Sequence, residues 1–97
     1  MIDFEQTYMA CVSTAHITLE DKELLEEWAQ DGAKDSPVLV AEYQHGFFLY
    51  VWEDDETDEP FSESMQEILE NCRNAHCWYL QLDADGPKYE ELTEHDW

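Results

Sequence analysis

The chain has 97 residues, enough for one domain spanning 1–97, and 43% of them are apolar, including 4 Phe, 5 Tyr and 4 Trp, so a small core is within reach. With 25 Asp and Glu against 4 Lys and Arg, the net charge is −21, which excludes direct binding of nucleic acid on electrostatic grounds. High charge without low hydrophobicity also argues against a disordered chain.

In chain order, MIDFEQTYMACVST opens the sequence without a basic region or a long apolar stretch, so no secretory signal is expected. Tyr8 to Ser13 reads as a buried strand. Thr18 then begins T-L-E-D, an N-cap with a carboxylate three residues on, and Leu24, Leu25 and Trp28 share one face of a helix over 19–31. Gly32 is its natural stop. Beyond Ser36-Pro37, VLVAEY and FFLYVWE flank Q-H-G and predict a β-hairpin over 38–53. FFLYVW is the longest apolar run and is far too short to span a bilayer.

The acidic segment from Glu53 to Glu59, interrupted only by Thr57, follows that strand. Ser62 or Ser64 can cap a second helix, with S-M-Q-E reading as a capping box that ends at Glu67. Met65, Ile68, Leu69 and Cys72 form its apolar stripe, and Cys77 to Asp83 is a last strand before a D-G-P turn and an acidic tail. The order β-α-β-β-α-β predicts an α+β domain of ferredoxin-like, split βαβ type, an antiparallel four-stranded sheet with both helices on one face. The opposite face would carry Phe48, Tyr50, Trp52 and Tyr79, and an apolar face of that kind needs a cover. Tail residues Tyr89, Leu92 and Trp97 are expected to supply it, with a second subunit as the alternative, so the chain is expected to be a monomer or a weak dimer.

The carboxylates are the chemical signal. Helical register places Glu23, Glu26 and Glu27 opposite the buried stripe of the first helix, and Glu63, Glu67 and Glu70 opposite that of the second. Like charges such as Glu23–Glu27 and Glu63–Glu67 each cost a helix about 0.2–0.5 kcal/mol. Solubility needs a net charge of only about 2–8, so the excess points to a partner. The candidate partner-binding set is these six together with Glu53, Asp54, Asp55, Glu56, Asp58 and Glu59. Duplex DNA carries one charge per ~1.7 Å of axis, so this net charge matches roughly 36 Å of duplex, the order of the diameter of a domain this size. Such a surface can occupy a Lys/Arg groove built for nucleic acid. A solvated or halophile-like acidic face, and a basic protein bound for other reasons, are the competing readings.

Other chemistries fit less well. An EF-hand needs a Gly at its turn, which E-D-D-E-T-D-E lacks, and Asp83-Ala84-Asp85-Gly86 is followed by Pro87 where a third ligand belongs. Cys11, Cys72 and Cys77, with His16 and His76, do not follow zinc spacing, and Cys72 lies on the apolar stripe, so reduced thiols in a cytoplasmic protein are expected. No nucleophile is placed beside a base, so no enzyme, cofactor or metal is expected. His45 reads as a turn residue. Sheet aromatics on this topology also occur in RNA-recognition domains, but those need a basic surface.

Two resemblances add to this. V-S-T-A-H-I-T and L-D-A-D-G-P-K-Y-E-E-L with the closing H-D-W resemble a group of small phage- and plasmid-borne proteins whose motifs imply no known chemistry; Ser13, Thr14 and His16 would form a corner and Asp85 to Pro87 a turn. Length, charge and predicted topology are similar to the DNA-mimicking anti-CRISPR proteins of the type I-F class, which implies a Cascade surveillance complex in a bacterial host as the target. Those inhibitors share no sequence motif, so the resemblance transfers no residue. Restriction enzymes and nucleases fit the same charge argument.

Overall fold

The computed structural model describes residues 1–31, 39–53 and 55–97. Gly32, Ser36, Pro37, Val38 and Asp54 lie outside the described residues. The elements are β1 (Tyr8–Ser13), α1 (Leu19–Asp31), β2 (Val40–Tyr43), β3 (Gly46–Tyr50), α2 (Glu63–Asn74) and β4 (Cys77–Asp83), with 3-10 turns at Thr14–His16 and Asp55–Asp58. The α+β class and the element order match the expectation. The ferredoxin-like, fully antiparallel sheet does not. The strand order is β1-β4-β3-β2, and β1 pairs parallel with β4 while the other two pairs are antiparallel. Exposure explains the placement. Leu80 and Leu82 of β4 are fully buried and suit an inner strand, whereas Tyr8 and Met9 of β1 are 73% and 51% exposed and suit an edge. Parallel pairing is open to β1 and β4 because long helical crossovers separate them.

The hairpin closes through a two-residue turn, Gln44-His45, because Tyr43 pairs with Gly46. A Cβ at position 46 would lie 1.7 Å from the Leu82 carbonyl oxygen, so only glycine lets β3 approach β4 there. At the end of α2, His76 adopts φ 57°, the left-handed conformation usual for a C-terminal Gly or Asn, and its N–H bonds the Arg73 carbonyl at 3.1 Å.

One side of the sheet carries the core. Val12, Val40, Phe47, Leu49, Val51, Leu80 and Leu82 meet Leu25 and Trp28 of α1 and Met65, Ile68, Leu69 and Cys72 of α2. Both helices start at a single buried carboxylate. Thr18 and Asp21 exchange the expected reciprocal bonds, at 3.0 and 3.1 Å. Ser62 caps α2 by accepting the Met65 N–H at 3.2 Å. Met65 then holds the third helical position, where a Glu would reach back to the cap. Asp21 of α1 takes that role, accepting the Ser62 N–H at 2.8 Å and its hydroxyl at 2.5 Å. The anticipated box from Ser64 to Glu67 is not formed, since the Ser64 hydroxyl pairs with His95 Nε2 at 2.7 Å instead.

The tail binds the corner after β1. Buried His16 accepts the Tyr89 N–H on Nε2 at 2.9 Å, which leaves its own proton on Nδ1 for the Thr93 carbonyl, also at 2.9 Å. His95 N–H donates to the Ala15 carbonyl, and Trp97 Nε1–H to the Ile17 carbonyl. The Ser13 N–H bonds the Pro87 carbonyl, so the corner and the D-G-P turn meet. This route takes Leu92 onto the core beside α2 and β1, and away from the aromatic face. Phe48, Tyr50 and Tyr79 therefore stay 38%, 40% and 45% exposed, which corrects the expectation of a tail cover. Trp52 is also misplaced by the sequence reading. It is 4% exposed and lies in the core, because strand alternation ends at Tyr50 and Val51 and Trp52 are buried in succession.

On the open face Tyr43 stacks on Phe48 and donates its hydroxyl to Asp83. That bond, with the Asp85 N–H, holds the Asp83 carboxyl below its ordinary 3.8. Burial, then the same bond, pushes the Tyr43 phenol above its ordinary 10.0. Asp83 therefore contributes stability that is present above its unfolded value and lost as pH falls through the lower folded one. Tyr43 contributes stability that is present below its unfolded value and lost as pH rises through the raised one. Urea midpoints measured from about pH 3 to about pH 11 should show a gap between wild type and Tyr43→Phe that is constant near neutrality and narrows at both ends. A gap that persists unchanged at both extremes would contradict this linkage.

Candidate functional site

The acidic segment is a strap lying between the helices. After β3 the chain crosses the helix side of the sheet, and its inward side chains fix it there. Trp52 and Phe61 stack at 6.0 Å, and Trp28 of α1 meets both edge-on, at 6.0 and 5.1 Å. Its buried charged anchor is Asp58. That carboxylate is 4% exposed, accepts the Trp52 indole N–H at 2.5 Å, and forms a two-pronged pair with Arg73 of α2 at 2.6 and 3.3 Å. Arg73 also donates to the Trp52 carbonyl at 3.2 Å. Its guanidinium is held above its usual range first by the bond to Asp58, then by the charges of Asp58, Asp55 and Glu70.

Asp58 is therefore removed from the candidate contact set. Its charge is spent on Arg73, fifteen positions downstream, a partner that spacing alone does not reveal. Glu53, Asp55, Glu56 and Glu59 remain exposed on the strap. Glu53, Asp55 and Glu70 line one shallow cleft around the Asp58–Arg73 pair, so the strap and α2 do join in one acidic feature. Glu63 and Glu67 extend it along the exposed face of α2. On α1, Glu23 and Glu27 are exposed, while Glu26 is half-buried and pairs with Lys22 at 3.6 Å. An exposed pair of that kind is worth at most about 1 kcal/mol and leaves Glu26 accessible.

Along the strands, charge is nearly absent from the side away from the helices. Strand positions that face away from the helices are Met9, Cys11, Ala41, Tyr43, Phe48, Tyr50, Tyr79, Gln81 and Asp83, and Asp83 is the one carboxylate among them. Glu42 lies on the other side, level with Phe47. The sheet thus has a weakly charged aromatic face, whereas exposed carboxylates of α1, the strap and α2 make the helix side polyanionic; Asp3 and Glu5 of the N-terminal segment and Asp85, Glu90, Glu91, Glu94 and Asp96 of the tail add charge outside these elements. The principal extents of the molecule are 47 × 34 × 28 Å. A net charge of −21 along the longest of these is one charge per about 2.2 Å, against ~1.7 Å in duplex DNA.

Among the described residues no group of three or more His, Cys, Asp and Glu is arranged to hold a metal ion, and no helix is long and apolar enough to cross a membrane. Cys72 is buried on the α2 stripe as expected. Burial, and then the neighbouring Cys77, push its thiol up to about 11, with Arg73 opposing, so it stays protonated at neutral pH.

Residues 9–97 match the model described as a family of unknown function (DUF5983), C-terminal domain. No curated protein and no solved structure matches the chain.

Proposed function

The chain belongs to the DUF5983 C-terminal-domain family, whose function is unknown, and from that premise we propose that it is a non-enzymatic inhibitor acting by occupancy. Its polyanionic helix face takes the place of DNA in the Lys/Arg groove of a DNA-binding protein in the bacterial cytoplasm. The observation that carries this reading is the segregation of charge: exposed carboxylates of α1, the strap and α2 lie on one side of a pinned scaffold. Pinning matters because fixed charges need no ordering when they bind. Opposite fields should steer encounter, so association is fast and falls steeply with salt.

A type I CRISPR surveillance complex is the target that the anti-CRISPR resemblance suggests. A restriction enzyme or a nuclease offers the same kind of groove. The test is competition: the target is loaded with labelled duplex and titrated with the full chain. Release of duplex at stoichiometric protein, lost on raising salt from about 50 to about 200 mM, is the expected result. Binding that leaves the duplex in place would favour a second reading, an acidic module that docks on a basic protein without displacing DNA. The open aromatic face favours that alternative, since a duplex mimic has no need of it.

A further inference from the structure

Beside the acidic face, α2, β1 and the tail enclose a groove of about 320 Å³. Ala10, Val12, Ile68, Cys72 and Leu92 make an apolar lining. Glu67 from α2 and Glu91 from the tail, both exposed, supply its charged groups. The wall formed by the tail is already built. Tyr89 is tied to β1 through its hydroxyl on the Cys11 carbonyl at 3.0 Å and to His16 through its N–H. The volume, at the lower end of ordinary ligand pockets, leaves room for a large aliphatic or aromatic side chain together with part of its flanking segment.

We propose that this groove receives an apolar side chain carried between Lys or Arg residues on the basic partner. This deepens the reading above and rests on it. Charge complementarity selects the occupant. An apolar anchor alone would satisfy the lining but not Glu67 and Glu91. An anionic lipid or nucleic acid would meet those two carboxylates and a chain of −21 with the wrong sign. A Lys- or Arg-flanked Leu, Met or Trp fills the lining and neutralises the rim together. Glu67 lies on the outer face of α2 with Glu63 and Glu70, so the groove adjoins the polyanionic surface and a single segment can use both. A phosphate backbone has no equivalent of this anchor, which gives the protein a means of choosing one basic target among many.

The probes are three synthetic octapeptides: four Lys around a central Leu, the same with Gly for Leu, and the Leu peptide with Glu for Lys. Binding to the full chain is followed by methyl and amide NMR shifts. The Lys–Leu peptide should bind at least about tenfold more tightly than the Lys–Gly peptide, as expected for burying one aliphatic side chain. Its shifts should centre on Val12, Ile68 and Leu92, and the Glu–Leu peptide should not bind. Ala10→Leu fills the groove and should abolish the Leu-over-Gly preference; Ala75→Leu, at the groove's exposed end, does the same should the β1 variant fail to fold. Equal affinity of the two Lys peptides, or shifts centred on Phe48 and Tyr79, would overturn the proposal. Failure here with duplex release intact removes the groove alone. Loss of duplex release with the Leu preference intact removes the occupancy reading alone.

Discussion

Replacing Arg73 by Met is expected to destabilise the domain by about 3–5 kcal/mol, a large part of the stability of a chain this short. The cost arises from what stays behind. Asp58 is 4% exposed, and without the guanidinium its carboxylate keeps the Trp52 indole N–H as its side-chain donor, with no neutralising charge. The Trp52 carbonyl loses a donor as well. A decrease of about 15 °C or more in Tm follows from the usual entropy of unfolding at this size. Pairing the change with Asp58→Leu should recover a good part of the loss, because two apolar groups replace the ion pair and no buried charge remains. Thermal and urea unfolding of the two variants and of the double variant measure this. A loss below about 1 kcal/mol in Arg73→Met would mean that the pair does not hold the strap.

The second large effect is on binding. Glu53→Lys, Asp55→Lys and Glu70→Lys together should weaken duplex displacement by about a hundredfold or more. A charge pair at 4 Å is worth about 1 kcal/mol even in water, and each reversal turns one such attraction into a repulsion. Stability should change little, within about 1 kcal/mol. The three lysines relieve repulsion within a chain of net −21, which offsets the new proximity of Lys to Arg73. Weakened binding at nearly unchanged stability separates a surface role from a structural one. A folded triple variant that still releases duplex at wild-type concentrations would rule out the cleft as the contact. The neutral set, Glu53→Gln, Asp55→Asn and Glu70→Gln, should fall between, with a shallower salt dependence than wild type.

Much of the scaffold is legible locally. The helix over 19–31, the Met65–Cys72 stripe, the cap at Thr18 and the turn before Gly46 all rest on contacts within a few positions. Periodicity and capping report such contacts directly. Exposed Glu23, Glu27, Glu63, Glu67 and Glu70 were legible for the same reason, since one face of a helix follows from its buried stripe. Asp58 was not. Within a run of carboxylates nothing marks the one that turns inward, and the only clue was that Arg73 is one of four cations in the chain. The shared use of Asp21 by two helices was hidden likewise, because Met65 occupies the position where the box residue of α2 would appear.

The elements, their buried stripes and an acidic excess far beyond what solubility requires follow from residue order and composition, because each depends on neighbours along the chain or on a sum over it. Tertiary structure decided the rest: β1 on the edge beside β4, the tail on the helix side with the aromatic face left open, and the strap held between α1 and α2. These choices depend on which distant surfaces bury each other best, and such energies arise only once the chain is packed.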